Sequence, residues 1–122
     1  MDLNTGRPNH IEDYLVQLHL GQWFGWSDSK NKVYANLIIH DSSKSKPTEQ
    51  ECIDGLAQLQ LDYALNELRT KRNRLLAETD YLALSDNTLS DDMKTYRQNL
   101  RDLPAGKDTV EKCENATWPT KP

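Results

Sequence analysis

The sequence predicts an α+β chain, mainly α: a short N-terminal helix and a β-hairpin, then a long helix and a shorter helix packed as a helical hairpin, and an extended C-terminal tail. Three observations carry this reading. From Thr48 to about Thr79 apolar residues recur at helical spacing with no proline and a single glycine, Gly55. A second helical pattern, Met93, Tyr96, Leu100 and Leu103, follows a turn-rich stretch. Ahead of both, an aromatic segment, a polar turn and the run VYANLIIH succeed one another as the parts of a hairpin do. The expected organisation is a helix-plus-hairpin region at 1–46, a helical hairpin at 47–104 and an extended tail at 105–122.

Composition narrows the function classes. The chain has 122 residues, 36% hydrophobic and 28% charged. That is polar for a globular protein, so an elongated shape, a surface completed by a partner or a disordered part is expected. The formal net charge of −4 argues against a general nucleic-acid or anionic-membrane binder. No apolar run approaches the length of a membrane span, so no membrane partner is expected. MDLNTGRPNH lacks the basic and apolar regions of a signal peptide, which predicts a cytosolic product. Cys52 and Cys113 lie far apart without metal-ligand spacing and read as reduced thiols. The Asn115-Ala116-Thr117 sequon has no meaning without a secretory route.

The elements follow in order. Met1 to Asn9 is a polar lead-in. Ile11, Tyr14, Leu15, Leu18 and Leu20 predict a short helix that Gly21 stops. Gln22 to Trp26, the turn SDSKNK and the strand Val33 to His40 form the hairpin, with Val33, Ala35, Leu37 and Ile39 on one face and Tyr34, Asn36, Ile38 and His40 on the other. A lone hairpin is marginal in water, so it must pack on a helix or another chain. Trp23, Phe24 and Trp26 are either its core or anchors for a partner.

Pro47 and the capping box Thr48-Glu49-Gln50-Glu51 start the long helix. Ile53, Ala57, Leu61, Ala64, Leu68 and Leu75 give its apolar stripe, widened by Leu56, Leu65 and Leu76. Its free flank is expected to meet a partner, a second copy of the chain among the candidates. Acids near its start and Arg69, Lys71, Arg72 and Arg74 near its end complement the helix dipole, with Glu67–Lys71 and Arg74–Glu78 as i,i+4 pairs. Ser90 caps the next helix, Asp91 and Asp92 sit in its first turn, and Pro104 with Gly106 ends it. In the tail only Val110 and Trp118 are notably apolar, and Trp118 is expected to dock.

Nothing resembles a catalytic constellation. His10, His19 and His40 lack helical i,i+4 spacing and adjacent cysteines. Asp86, Ser90, Asp91 and Asp92 lack the spacing, glycine and terminal glutamate of a calcium loop. There is no glycine-rich phosphate loop and no nucleophile elbow. The chain reads as no enzyme, with no cofactor and no metal.

One patterned stretch remains. Arg72, Arg74, Leu75, Leu76, Ala77, Thr79, Asp80 and Tyr81 are followed by Asp86, then Tyr96-Arg97-Gln98 and Leu100-Arg101-Asp102-Leu103-Pro104. With Trp118-Pro119 as a closing motif, residues 69–104 resemble the small domain of tailed-bacteriophage tail assembly chaperone proteins, often found at the end of tail-fibre assembly proteins. Tyr81 and Met93 depart from the pattern, standing where that family usually has tryptophan. Tyr34 to Glu51 is similar to the front of small phage tail proteins. The resemblance implies a non-enzymatic protein that contacts phage tail, tail-fibre or baseplate proteins in the host bacterial cytoplasm, as an assembly chaperone or as a component retained in the virion tail.

The motif charges have two readings. Asp80 and Asp86 bond Arg97 and Arg101 and lock the turn onto the helix, or Tyr81, Tyr96 and the arginines form an exposed binding face. Candidate partner-binding residues are accordingly Trp23, Phe24, Trp26, Tyr81, Tyr96, Arg97, Arg101 and Trp118. From other classes, Arg69 to Arg74 point to a nucleic-acid-binding or regulatory factor, and the long helix to a dimeric coiled-coil adaptor.

Overall fold

The computed structural model describes residues 1–84 and 88–122 and divides into two units, Met1–Gln60 and Leu61–Pro122. It is mainly helical with one two-stranded antiparallel sheet. The expectation for Asp86 lies outside the described residues.

In the first unit, α1 spans Ile11–Leu18. His10 is its N-cap: the ring Nδ1 accepts from the Glu12 amide at 3.0 Å, and the Asp13 carboxylate accepts from the amides of Asn9 and His10 at 3.0 and 3.2 Å. Two orphan donors ahead of the helix are thereby satisfied. The expected helix ran on to Leu20, but His19 takes an extended backbone and lays its ring edge-on against Trp23 at 4.8 Å. Gly21 follows at φ +80°, a conformation glycine adopts without penalty.

Strands β1, Phe24–Trp26, and β2, Leu37–Ile39, pair antiparallel with Phe24 opposite Ile39 and Trp26 opposite Leu37. The Ser27 amide to the Asn36 carbonyl at 2.8 Å and the His40 amide to the Trp23 carbonyl at 2.9 Å extend the ladder at both ends. A β-carbon on Gly25 would land on the His40 ring, so a larger residue there would displace that exposed side chain. The predicted strand Val33 to His40 is half right. Tyr34–Asn36 is a tight 3-10 turn, because the Asn36 amide bonds the Val33 carbonyl and its side chain donates to the Asn31 carbonyl. The expected alternation of faces holds only from Leu37, which is buried while Ile38 faces solvent.

Helix α2, Glu49–Ala77, supplies its first turns to this unit and the remainder to the other. As expected, the Thr48 hydroxyl accepts from the Glu51 amide at 3.1 Å. The apolar stripe differs from expectation at its start. Cys52 joins Leu15, Trp23 and Leu37 in the core, and Gly55 lets the Tyr14 ring lie directly on the helix, whereas Ile53 is 49% exposed and Ala57 faces solvent. Burial, with Glu51 and Glu49 nearby, pushes the Cys52 thiol up from its ordinary range.

In the second unit Ala64 and Leu68 of α2 pack on Cys113, and Leu75 and Leu76 pack on Met93, Tyr96 and Leu100. The latter three line α3, Asp91–Asp102, which the Ser90 hydroxyl caps by accepting from the Met93 amide at 3.1 Å. This is the predicted helical hairpin. The tail, predicted extended, contains one short helix, α4, Val110–Glu114. The Thr109 hydroxyl caps it at the Lys112 amide, 3.1 Å, which turns Cys113 inward. No described helix is long and apolar enough to cross a membrane.

Candidate functional site

The second unit is closed by a cluster of polar bonds around one arginine. A helix leaves its last carbonyls without intrahelical donors, and the helix dipole places partial negative charge there. At the end of α2 the Leu76 carbonyl accepts from the Thr79 amide at 3.1 Å and from Arg97 Nη1 at 3.0 Å. The same Nη1 donates to the Thr79 hydroxyl at 2.6 Å, and Nη2 to Asp80 Oδ1 at 2.8 Å. Thr79 is fully buried and Arg97 is 9% exposed. A cation from α3 therefore caps α2 from outside the helix, with its charge balanced by Asp80 in the 3-10 turn Asp80–Ala83.

Met93, Tyr96 and Leu100 of α3 share a face with Arg97, so burying that apolar face carries the guanidinium to the end of α2. Asp80 is one of the two carboxylates expected to bond Arg97 and Arg101, and it bonds Arg97. Arg101 does otherwise: it is exposed and donates to Gln98 Oε1 at 3.1 Å along its own helix.

The tail closes the unit from another side. Trp118 packs against both apolar clusters of the unit, and the Lys71 ammonium sits 4.3 Å from its ring centroid. The expected Glu67–Lys71 pair is therefore absent among the described residues, because Lys71 turns to the indole. The Arg74–Glu78 pair is absent too among the described residues, although the Glu78 amide still bonds the Arg74 carbonyl at 3.1 Å just past the end of α2.

In the first unit the three aromatic candidates come together as an edge-to-face stack. Trp23 and Phe24 lie 5.1 Å apart and Phe24 and Trp26 6.1 Å apart, centroid to centroid. Trp23 is 1% exposed and its indole N–H donates to the Leu15 carbonyl at 3.2 Å, which places it in the interior. Phe24 and Trp26 are half-buried, and the His10 ring meets Trp26 at 5.8 Å. His10 thus works three ways, since its Nε2 also bonds the Lys32 carbonyl at 2.8 Å.

Of the candidates in the second unit, Tyr96 and Arg97 are interior, Trp118 is half-buried, Arg101 is exposed and Tyr81 is 60% exposed. Sequence reasoning missed Thr79 as the buried centre of the polar cluster, although its place between two helical patterns was a usable signal. It also missed Lys71 as the partner of Trp118, for which no local signal exists. Among the described residues no three His, Cys, Asp or Glu side chains gather as metal ligands.

No curated protein and no solved structure matches the chain. The C-terminal part, which holds the α2–α3 hairpin, the Arg97 cluster and the Trp118 tail, is matched over residues 65–122 by the model of the phage tail assembly chaperone protein family.

Proposed function

We propose that this chain is a non-enzymatic protein of tailed phages that acts by protein–protein contact while the tail is built in the host bacterial cytoplasm. The family match over residues 65–122 carries the reading. The physical chemistry supports it: Arg97, Thr79 and Asp80 are spent on holding the domain together. What the unit offers a partner is a charged surface interrupted by exposed Tyr81 and Leu84 and half-buried Trp118. Phage tail, tail-fibre or baseplate proteins are the clients. In the first unit Phe24 and Trp26 are the aromatic groups at the surface, and Trp23 supports them from beneath.

Deleting the reading frame from its phage tests this. Electron microscopy of lysates should show heads and incomplete tails, restored by supplying the chain in trans. Fully tailed, infectious particles from the deletion would remove the reading. Mass spectrometry of purified virions separates the two forms of the role, since an assembly chaperone is absent from the particle and a tail component is present in fixed ratio.

A further inference from the structure

Two open depressions in the second unit, about 660 and 360 Å³, both include Leu103, Lys107 and Thr117 in their walls and so adjoin as the two arms of a groove. One arm runs along α4 past Asn115; the other passes Asn99 of α3 and Trp118. The apolar wall of the second arm is fixed in place, because Trp118 is packed against two clusters and held under the Lys71 ammonium.

Four polar groups along the two arms are unspent. Among the described residues the side chains of Asn99, Asn115, Thr117 and Lys107 have no hydrogen-bond or ion-pair partner. Amides and hydroxyls flanking an apolar wall suit a peptide backbone, whose N–H and C=O groups need both donors and acceptors. Lys107 stands where the arms meet and is half-buried, whereas the neighbouring Lys112 is neutralised by Asp108 at 2.7 Å. Glu111 lines only the first arm and Asp102 only the second. The charge order along the groove is therefore negative, positive, negative.

We propose that this groove binds an extended peptide segment of a partner protein that carries one acidic side chain at its middle, seated on Lys107, and no acid at either end. The proposal rests on the protein–protein reading above and names the chemistry of the partner segment.

The test uses the full chain and, as probe, a displayed library of random twelve-residue peptides. Enriched peptides should share one central Asp or Glu. Lys107→Glu should weaken them about tenfold or more, and changing that acid to lysine in the peptide should restore binding to the Lys107→Glu chain. Thr117→Arg, which fills the groove, should abolish binding, with thermal melts of both variants matching the parent chain. No enrichment, enrichment without an acid, or binding indifferent to both substitutions would overturn the proposal. If a tail protein is captured equally by the parent and Lys107→Glu chains, the groove assignment fails and the tail-assembly reading stands. Charge-swapped peptide rescue without any captured tail protein gives the reverse.

Discussion

Arg97 and Thr79, on either side of the connection between α2 and α3, are joined by a 2.6 Å bond from a guanidinium N–H to a hydroxyl that is itself buried. The bond turns two motif positions into a structural cap. The same guanidinium bonds the Leu76 carbonyl and meets Asp80, so removing it takes the donor from one buried hydroxyl, one half-buried carbonyl that keeps its bonds from Thr79, and one largely exposed carboxylate. Those three acceptors are not worth the same.

Arg97→Ala should destabilise the second unit by about 2–4 kcal/mol, because the buried Thr79 hydroxyl loses its charged donor and the end of α2 loses its capping cation. Asp80→Ala should cost no more than about 1 kcal/mol, since its carboxylate is 63% exposed and solvent screens the pair. Arg97→Lys, a point charge that cannot fork between three acceptors, should recover only part of the loss. Chemical denaturation of the three variants checks the order.

Gly55→Ala separates helix propensity from packing. In an exposed helix interior the change stabilises by roughly 1 kcal/mol. Here the new β-carbon would land on the Tyr14 ring, so the expected sign is reversed, with a loss of about 1–3 kcal/mol. Adding Tyr14→Ala should make Gly55→Ala neutral or favourable, which a double-mutant cycle reads directly.

Trp118→Ala should cost about 2–4 kcal/mol, as one side chain leaves two apolar clusters. Lys71→Ala should cost about 0.5–1 kcal/mol, the size of a solvent-accessible cation–π contact. Thermal unfolding followed by far-UV circular dichroism reports both, and the fluorescence of Trp118, with Trp23 and Trp26 changed to phenylalanine, reports Lys71→Ala a second time.

Asp13 predicts a pH dependence in the first unit. Burial raises its carboxyl, but bonds from the Met1 ammonium and the Asn9 and His10 amides together hold it below the ordinary value of 3.8. A carboxyl depressed on folding stabilises fully above its unfolded value, and the contribution disappears as pH falls through the lower folded value. The stability difference between the parent chain and Asp13→Asn should be constant from neutral pH to about 5 and shrink below about 4.

Much of the fold was legible because it is locally written. Pro47-Thr48 with Glu51 starts α2, Ser90 starts α3, and Pro104 with Gly106 ends it, each through bonds within a few residues. That Asp80 or Asp86 would bond Arg97 and Arg101 was one of two readings of the motif charges, and Asp80 does bond Arg97. The features that escaped depend on residues distant in sequence. Nothing near Gly55 signals that the Tyr14 ring will lie on it, and this contact puts Cys52 in the core and leaves Ile53 in solvent. Helix α4 escaped because five residues with one threonine cap give almost no periodic signal. The burial of Trp23, Tyr96 and Arg97 was one of two readings open in the sequence, since aromatics and arginines serve cores and interfaces alike.

The tail-assembly reading is tested most directly by purifying the tagged chain from phage-infected cells and quantifying what comes with it by mass spectrometry. The account predicts a phage tail, tail-fibre or baseplate protein in near-stoichiometric amount, retained after nuclease treatment and lost when the second unit is unfolded by Arg97→Ala. Capture of nucleic acid or host proteins alone, with no tail protein at any stage of infection, would contradict it.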